Sequence, residues 1–233
     1  MDLIFETEVV TLAVVSDDAR FPVRRVYCVG RNYVEHIREM KEGDERDPPF
    51  FFQKPRDAVV TDDAVVPYPP MTDDFQFEGE LVVAIGKPAR NVSVQQAADV
   101  IFGYAAGVDL TRRDRQSEAF KEGKPWEIGK SFDASAACSA ITPVARSGHL
   151  LEGAITLSVN GQQRQQGDLE QMIWDPFEIV SKLSAQYTLM PGDIIMTGTP
   201  AGVGAVVPGD QITVNIQGLA PFSISIGPAK ESD

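Results

Sequence analysis

Phe77-Glu78-Gly79-Glu80-Leu81-Val82-Val83-Ala84-Ile85-Gly86 is the stretch on which the fold turns. From Leu81 to Ile85 every side chain is apolar, so both faces of this strand must be covered. Gly86 ends it in a turn. Ahead of the apolar run, Glu78 and Glu80 stand two apart and leave the strand on one face. Taken alone, two such carboxylates more often line a wet sheet face. At the mouth of a strand buried on both sides they suit a cation instead.

Working outward, the neighbouring segments read as short strands with few helices between them. Residues 3–15 alternate weakly, as one or two short strands do. "VRRVYCVGRNY" reads as a strand ending at Gly30, and "NYVEHIREM" follows with helical spacing: Tyr33, Ile37 and Met40 share a face, and Asn32 stands where an N-cap belongs. The charged, Pro-terminated stretch 41–49 is a predicted surface loop. "FFFQKP" and "DAVV" are strand pieces, and 62–74 is rich in turn residues. "SVQQAADVIFGYAAGVDL" opens as a helix capped by Ser93 and passes at Gly103 into a strand. Asn160-Gly161 is the strongest short hairpin signal. "PFEIVSKLSAQYTL" is amphipathic, with Ile179, Val180, Leu183 and Tyr187 on one side. Pro191-Gly192-Asp193 turns the chain into the strand "IIMTG", and residues 210–226 form a closing hairpin. Strands without βαβ alternation predict an α+β fold, a mixed β-roll with few helices.

Composition removes several function classes. The net charge is −13 and no basic run exists, which excludes a phosphate-backbone binder. An acidic chain that takes an acidic substrate needs a local cation to overcome its own field. The two cysteines, Cys28 and Cys138, lie in no CxxC pair, so neither thiolate zinc nor a disulfide framework is expected; both read as small buried hydrophobes. No apolar run approaches membrane length, and the N-terminus lacks a basic leader region. A cytoplasmic protein is expected, with a short N-terminal segment over 1–20 and one catalytic domain over 21–233.

Four groups of residues have the right types for chemistry. Glu78, Glu80 and, at the end of "YAAGVDL", Asp109 offer three carboxylates, a donor set for Mg²⁺, Mn²⁺ or Ca²⁺, although nothing in the sequence forces Asp109 near Glu78. His36 and Glu39 stand three apart on the predicted helix, so a carboxylate can orient an imidazole as a general base; an ordinary exposed pair has the same spacing. Lys130, in "GKSFD", reads as strand and, if buried, balances three carboxylates and one divalent ion; Lys54 has the same character. "TGTPAGVG" is neither a Walker loop nor a dinucleotide fingerprint, and its N–H groups and hydroxyls suit a carboxylate or keto oxygen. His149 lies in a predicted loop and receives no role.

Together and in this order, "CVGRNYVEHIREM", "FFFQKP", "FEGELVVAIG", "GYAAGVDLTRRDRQ", "PWEIGKSFD", "VNGQQRQ" and "DIIMTGTPAGVG" resemble the fumarylacetoacetate hydrolase family, over residues 22–227. The resemblance implies a divalent metal, Mg²⁺ or Mn²⁺, on Glu78, Glu80 and Asp109. It implies an acid/base pair in His36 and Glu39, a catalytic Lys130, and substrate contacts from Gln116 and Thr199. One departure is visible: Gln76 stands where many members carry a histidine. The implied reaction is hydrolysis of a carbon–carbon bond in an acylpyruvate, fumarylpyruvate in the favoured case, with Arg31, Lys54, Arg112 and Arg113 as choices for the cation at its distal carboxylate. A homodimer is expected on the same basis. The rivals are oxaloacetate decarboxylation or 2-oxo-diacid isomerisation on the same centre, a non-catalytic keto-acid binding protein, and a structural Ca²⁺ module that would need neither His36–Glu39 nor Lys130.

Overall fold

The computed structural model describes residues 4–40 and 47–229; residues 41–46 of the predicted loop lie outside it. A large mixed sheet runs in the order Phe50–Lys54, Arg25–Gly30, Asp193–Met196, Gly79–Ile85, Ile101–Asp109, Ala136–Cys138, Val59–Val60, with Thr142–Pro143 added beside Ile101–Asp109. The apolar strand Gly79–Ile85 is buried along its whole length, as its composition requires. A second sheet of five strands is built from the Asn160-Gly161 hairpin, the closing hairpin and Val65–Pro67. Asn160 (φ 53°) and Gly161 (φ 76°) take the left-handed conformations of the tight hairpin turn. The main core lies between the two sheets and the helix Pro176–Gln186, whose buried face carries Ile179, Val180 and Leu183. Asp175 caps that helix, accepting from the N–H groups of Phe177 and Glu178.

A smaller core covers the outer face of the large sheet. There Leu12, Val14 and Phe21 of the N-terminal hairpin pack on Val26, Cys28, Val82, Cys138 and Met196. The boundary expected at residue 20 falls inside the strand Asp17–Pro22, so the hairpin belongs to the same packed body. Among the described residues no helix is long and apolar enough to cross a membrane.

Three local expectations are corrected. "FEGELVVAIG" is not one strand. Phe75–Phe77 pairs with Thr111–Arg112 and Gly204–Ala205 in a small third sheet, the chain breaks at Glu78, and Gly79–Ile85 joins the large sheet. Asn32 is not a cap for the helix Val34–Met40. Its amide nitrogen donates to the carbonyls of Trp174 (2.9 Å) and Thr197 (2.8 Å), and its oxygen accepts from Trp174 N–H (2.8 Å). Lys130 ends a helical turn, Glu127–Lys130, rather than lying in a strand. That turn sits so close to the helix Arg113–Lys121 that a Cβ at Gly129 would lie 2.7 Å from Gln116.

Candidate metal centre and active site

The break at Glu78 creates the site. Gly79 pairs with Val108 and Glu80 with Gly107, so the start of one strand lies beside the end of the other. Asp109 N–H then donates to the Glu78 carbonyl (2.8 Å), which ties the third carboxylate to the first. This strand pairing supplies the proximity that sequence alone cannot. Glu78, Glu80 and Asp109 are all buried, and one oxygen from each lies within 4.8 Å of the others.

Three buried cations surround them. Lys130 Nζ donates to Glu78 Oε2 (2.7 Å), Asp109 Oδ2 (2.9 Å) and Thr111 Oγ1 (2.8 Å). Arg113 pairs with Glu78 Oε1, donates from Nε to Gln76 Oε1 (2.9 Å) and also bonds Gln116. Gln76, the departure from the common family pattern, therefore holds the arginine. Lys54 Nζ sits 2.8 Å from Asp109 Oδ1, outside hydrogen-bond alignment, and donates to Leu110 O (3.2 Å) and to the Lys130 carbonyl. The expected single balancing lysine is thus corrected to two lysines and an arginine.

The electrostatics divide the carboxylates. Burial raises the Glu78 carboxyl's pKa, but Lys130 and Arg113 beside it outweigh that and hold it well below the usual range. Glu80 goes the other way: burial, then the charges of Asp109 and Glu78, lift it well above the ordinary value. Glu80 has one N–H partner, Gly198 (2.7 Å), and no paired cation among the described residues. Three buried carboxylate oxygens facing one another, one of them held by repulsion, fit a hard divalent ion. Glu78, Glu80 and Asp109 are the residues that would hold it.

The same cleft is lined by His36, buried on the helix Val34–Met40, with Nδ1 3.3 Å from Glu39 Oε2. Glu39 also accepts from Gly202 N–H (3.1 and 3.2 Å), which fixes the carboxylate that orients the ring. The hydrogen bond from His36 lowers the Glu39 carboxyl's pKa, with burial opposing and the Gly202 bond helping.

Of the other predicted contacts, Arg31, Arg113, Gln116 and Thr199 line the cleft with Glu78, Glu80, Lys130 and His36. Two do not reach it. Lys54 lies behind Asp109, and Arg112 points away to stack on Phe132 (4.4 Å) beside Pro67–Pro70. Thr199 donates to Gly79 O (2.9 Å) and accepts from Gln165 Nε2 (2.7 Å). Gln165, to which no role was given, also accepts from Gly79 N–H (2.8 Å) and donates to Pro200 O (2.7 Å). It clamps "TGTP" to the carboxylate strand, and only its place in "VNGQQRQ" marks it among four neighbouring glutamines. Thr111 and Trp126 are likewise site residues without a sequence signal of their own. His149 bonds Tyr104 Oη (3.0 Å) in a loop away from the cleft.

The model of the fumarylacetoacetate hydrolase C-terminal domain matches residues 25–226. The chain belongs to the fumarylacetoacetate hydrolase family. Within it, the chain is 48% identical over 182 residues to fumarylpyruvate hydrolase from Ralstonia sp., covering 78% of this chain and 94% of that one. It is 39% identical over 203 residues to the mitochondrial oxaloacetate tautomerase of Homo sapiens, covering 87% and 91%. A fumarylpyruvate hydrolase from Pseudomonas aeruginosa, crystallised in complex with Mn²⁺ and pyruvate, superposes with a TM-score of 0.95 at 46% identity, over 97% of this chain and 100% of that one. The mixed-sheet fold with few helices is thus the fold of this family.

Proposed function

We propose that this family member hydrolyses the carbon–carbon bond of an acylpyruvate, converting fumarylpyruvate to fumarate and pyruvate. The observation that carries the reading is that one cleft is lined by Glu78 and Glu80 of the three-carboxylate centre, by Lys130, and by His36, whose ring Glu39 holds. The likeness to fumarylpyruvate hydrolases, one of them solved with Mn²⁺ and pyruvate, supports the same reaction and the same class of metal.

A divalent ion on Glu78, Glu80 and Asp109 supplies Lewis acidity toward a keto oxygen of the substrate. Three carboxylates already face three buried cations, so a bound divalent ion leaves the centre with a net charge of about +2. An acylpyruvate with a second carboxylate is a dianion and matches that charge, although the chain as a whole is acidic. His36, oriented by Glu39, takes a proton from water. The water oxygen bonds to the acyl carbon, and the bond from that carbon to C3 of the pyruvyl unit breaks. The electron pair stays on C3 as an enolate, whose negative charge the nearby positive charge of Lys130 in the cleft lining offsets. A proton on C3 completes pyruvate, and the acyl group leaves as a carboxylic acid.

Pyruvate release from fumarylpyruvate, followed after chelation and then Mg²⁺ or Mn²⁺ add-back with oxaloacetate in parallel, tests this. Metal-restored pyruvate from fumarylpyruvate, well above that from oxaloacetate, is the expected result. Pyruvate from oxaloacetate alone would favour the second reading, decarboxylation on the same centre, suggested by the oxaloacetate decarboxylase relative. That chemistry uses the enolate-stabilising centre without water activation, so it would not depend on the His36–Glu39 pair in the same way.

A further inference from the structure

We propose that Arg31, at the far end of a bridge of aromatic rings from Lys130, binds the distal carboxylate of a flat, unsaturated acyl group and so sets the enzyme's acyl preference. This rests on the acylpyruvate hydrolase reading.

The contacts form a series. Lys130 Nζ, on the carboxylate centre, lies 5.4 Å from the Phe52 ring centroid. Phe52 packs against Trp126 (centroids 6.0 Å), and Trp126 meets Phe50 edge-on (4.8 Å, 90°). Arg31 stands over Phe50 (5.6 Å) and over Phe120 (5.4 Å). Arg31, Phe52 and Trp126 all line the same cleft as Glu78 and His36. One end of the cleft is therefore built for charge, the middle offers flat ring faces, and the far end carries a guanidinium held between two rings. A ligand with the same order of properties is a chain that chelates at one end, is planar and apolar in the middle, and ends in an anion. A guanidinium suits that anion because its planar fork engages both oxygens of a carboxylate.

The backbone supports the assignment. Arg31 has φ 63°, a left-handed conformation that costs a side-chain-bearing residue free energy. Its neighbours in "GRN", Gly30 and Asn32, are types that tolerate this conformation better, yet the arginine carries it. Gly30 has another duty: a Cβ there would lie 2.1 Å from the Phe50 ring that supports Arg31. The turn that aims Arg31 and the ring beneath it are thus built together. Arg112 and Lys54 do not line the cleft, and Arg113 lies at its carboxylate end, paired to Glu78.

The test compares fumarylpyruvate with the same planar acylpyruvate carrying a methyl group in place of the distal carboxylate, on the metal-loaded enzyme. Wild type should prefer the dicarboxylate by about 10- to 100-fold in kcat/KM, the range of one charge-assisted contact, mostly through KM. Arg31→Gln should lose that preference while turning over the methyl analogue within about twofold of wild type, which also shows that the variant is folded. A wild type that hydrolyses both equally overturns the proposal without any variant. Arg31→Gln retaining the preference, or losing both substrates equally, overturns it too, the latter making Arg31 a shaper of the turn. Pyruvate from neither substrate in wild type is a different failure: it removes the hydrolase reading and this inference with it.

Discussion

His36 is held through Nδ1 by Glu39, which Gly202 N–H in turn fixes, and the ring lines the cleft. His36→Ala should leave Mn²⁺ affinity intact by calorimetry and lower turnover by about 10²–10⁴; wild-type turnover in that variant would take His36 out of the reaction. The two thiols differ from His36 in having no access to the cleft. Burial, with Glu80 adding to it, pushes Cys138 up to about 12, and burial lifts Cys28 well above its usual range. Because both folded values are raised, their contribution to stability is intact below the unfolded thiol value of about 8.5 and is lost as pH climbs toward about 12. Alkylation of native protein at pH 8 should therefore track global unfolding, and urea stability should decline above about pH 8.5. Fast labelling of both cysteines in native protein would contradict this. At this scale the sequence was a good guide to residue type: the carboxylates, the His–Glu pair and the buried thiols are visible in it. It was a poor guide to Lys54 and Arg112, because which way a cation points depends on strand pairing and not on its neighbours in the chain.

At the scale of elements, the signals that survived are those that local physics decides. The Asn160-Gly161 turn, the capped helix after Asp175 and the apolar strand 79–85 are each dictated by φ preference, capping or burial. The signals that failed are those that distant chain overrides. Asn32 has the residue type of a cap, but carbonyls from Thr197 and Trp174 claim its amide. The break at Glu78 was invisible because "FEGE" continues the extended pattern on both sides; only pairing to two different sheets divides it. Asn32→Ala should therefore cost more than a lost cap. It leaves buried backbone groups unpaired where three segments meet, and about 2–4 kcal/mol of stability should go, read from urea unfolding. A loss near 0.5 kcal/mol would mean that water replaces the amide. Gly198, with φ 97° and a would-be Cβ 2.7 Å from that of Asn32, should tolerate alanine no better.

For the whole molecule, the cluster of buried carboxylates couples metal binding to folding. Metal at about a hundredfold over Kd should add about 2.7 kcal/mol, because the unfolded chain does not assemble Glu78, Glu80 and Asp109. In a chain of this size that is about 5–10 °C in Tm between chelated and Mn²⁺-saturated protein. Glu80→Gln should remove most of the increment; equal Tm with and without metal would argue against the site. The architecture itself carries one more consequence. Between Arg25–Gly30 and Gly79–Ile85 lies a strand from residues 193–196, and the residue that donates to Glu80 is Gly198. A chain leaving the ribosome cannot close its largest sheet until that late strand has emerged, so the strands before it must wait with edges open until about four-fifths of the chain is made. Sheet closure and completion of the Glu80 ligand are then one event in time, and the onset of metal binding during synthesis or refolding would serve as a clock for the last step of folding.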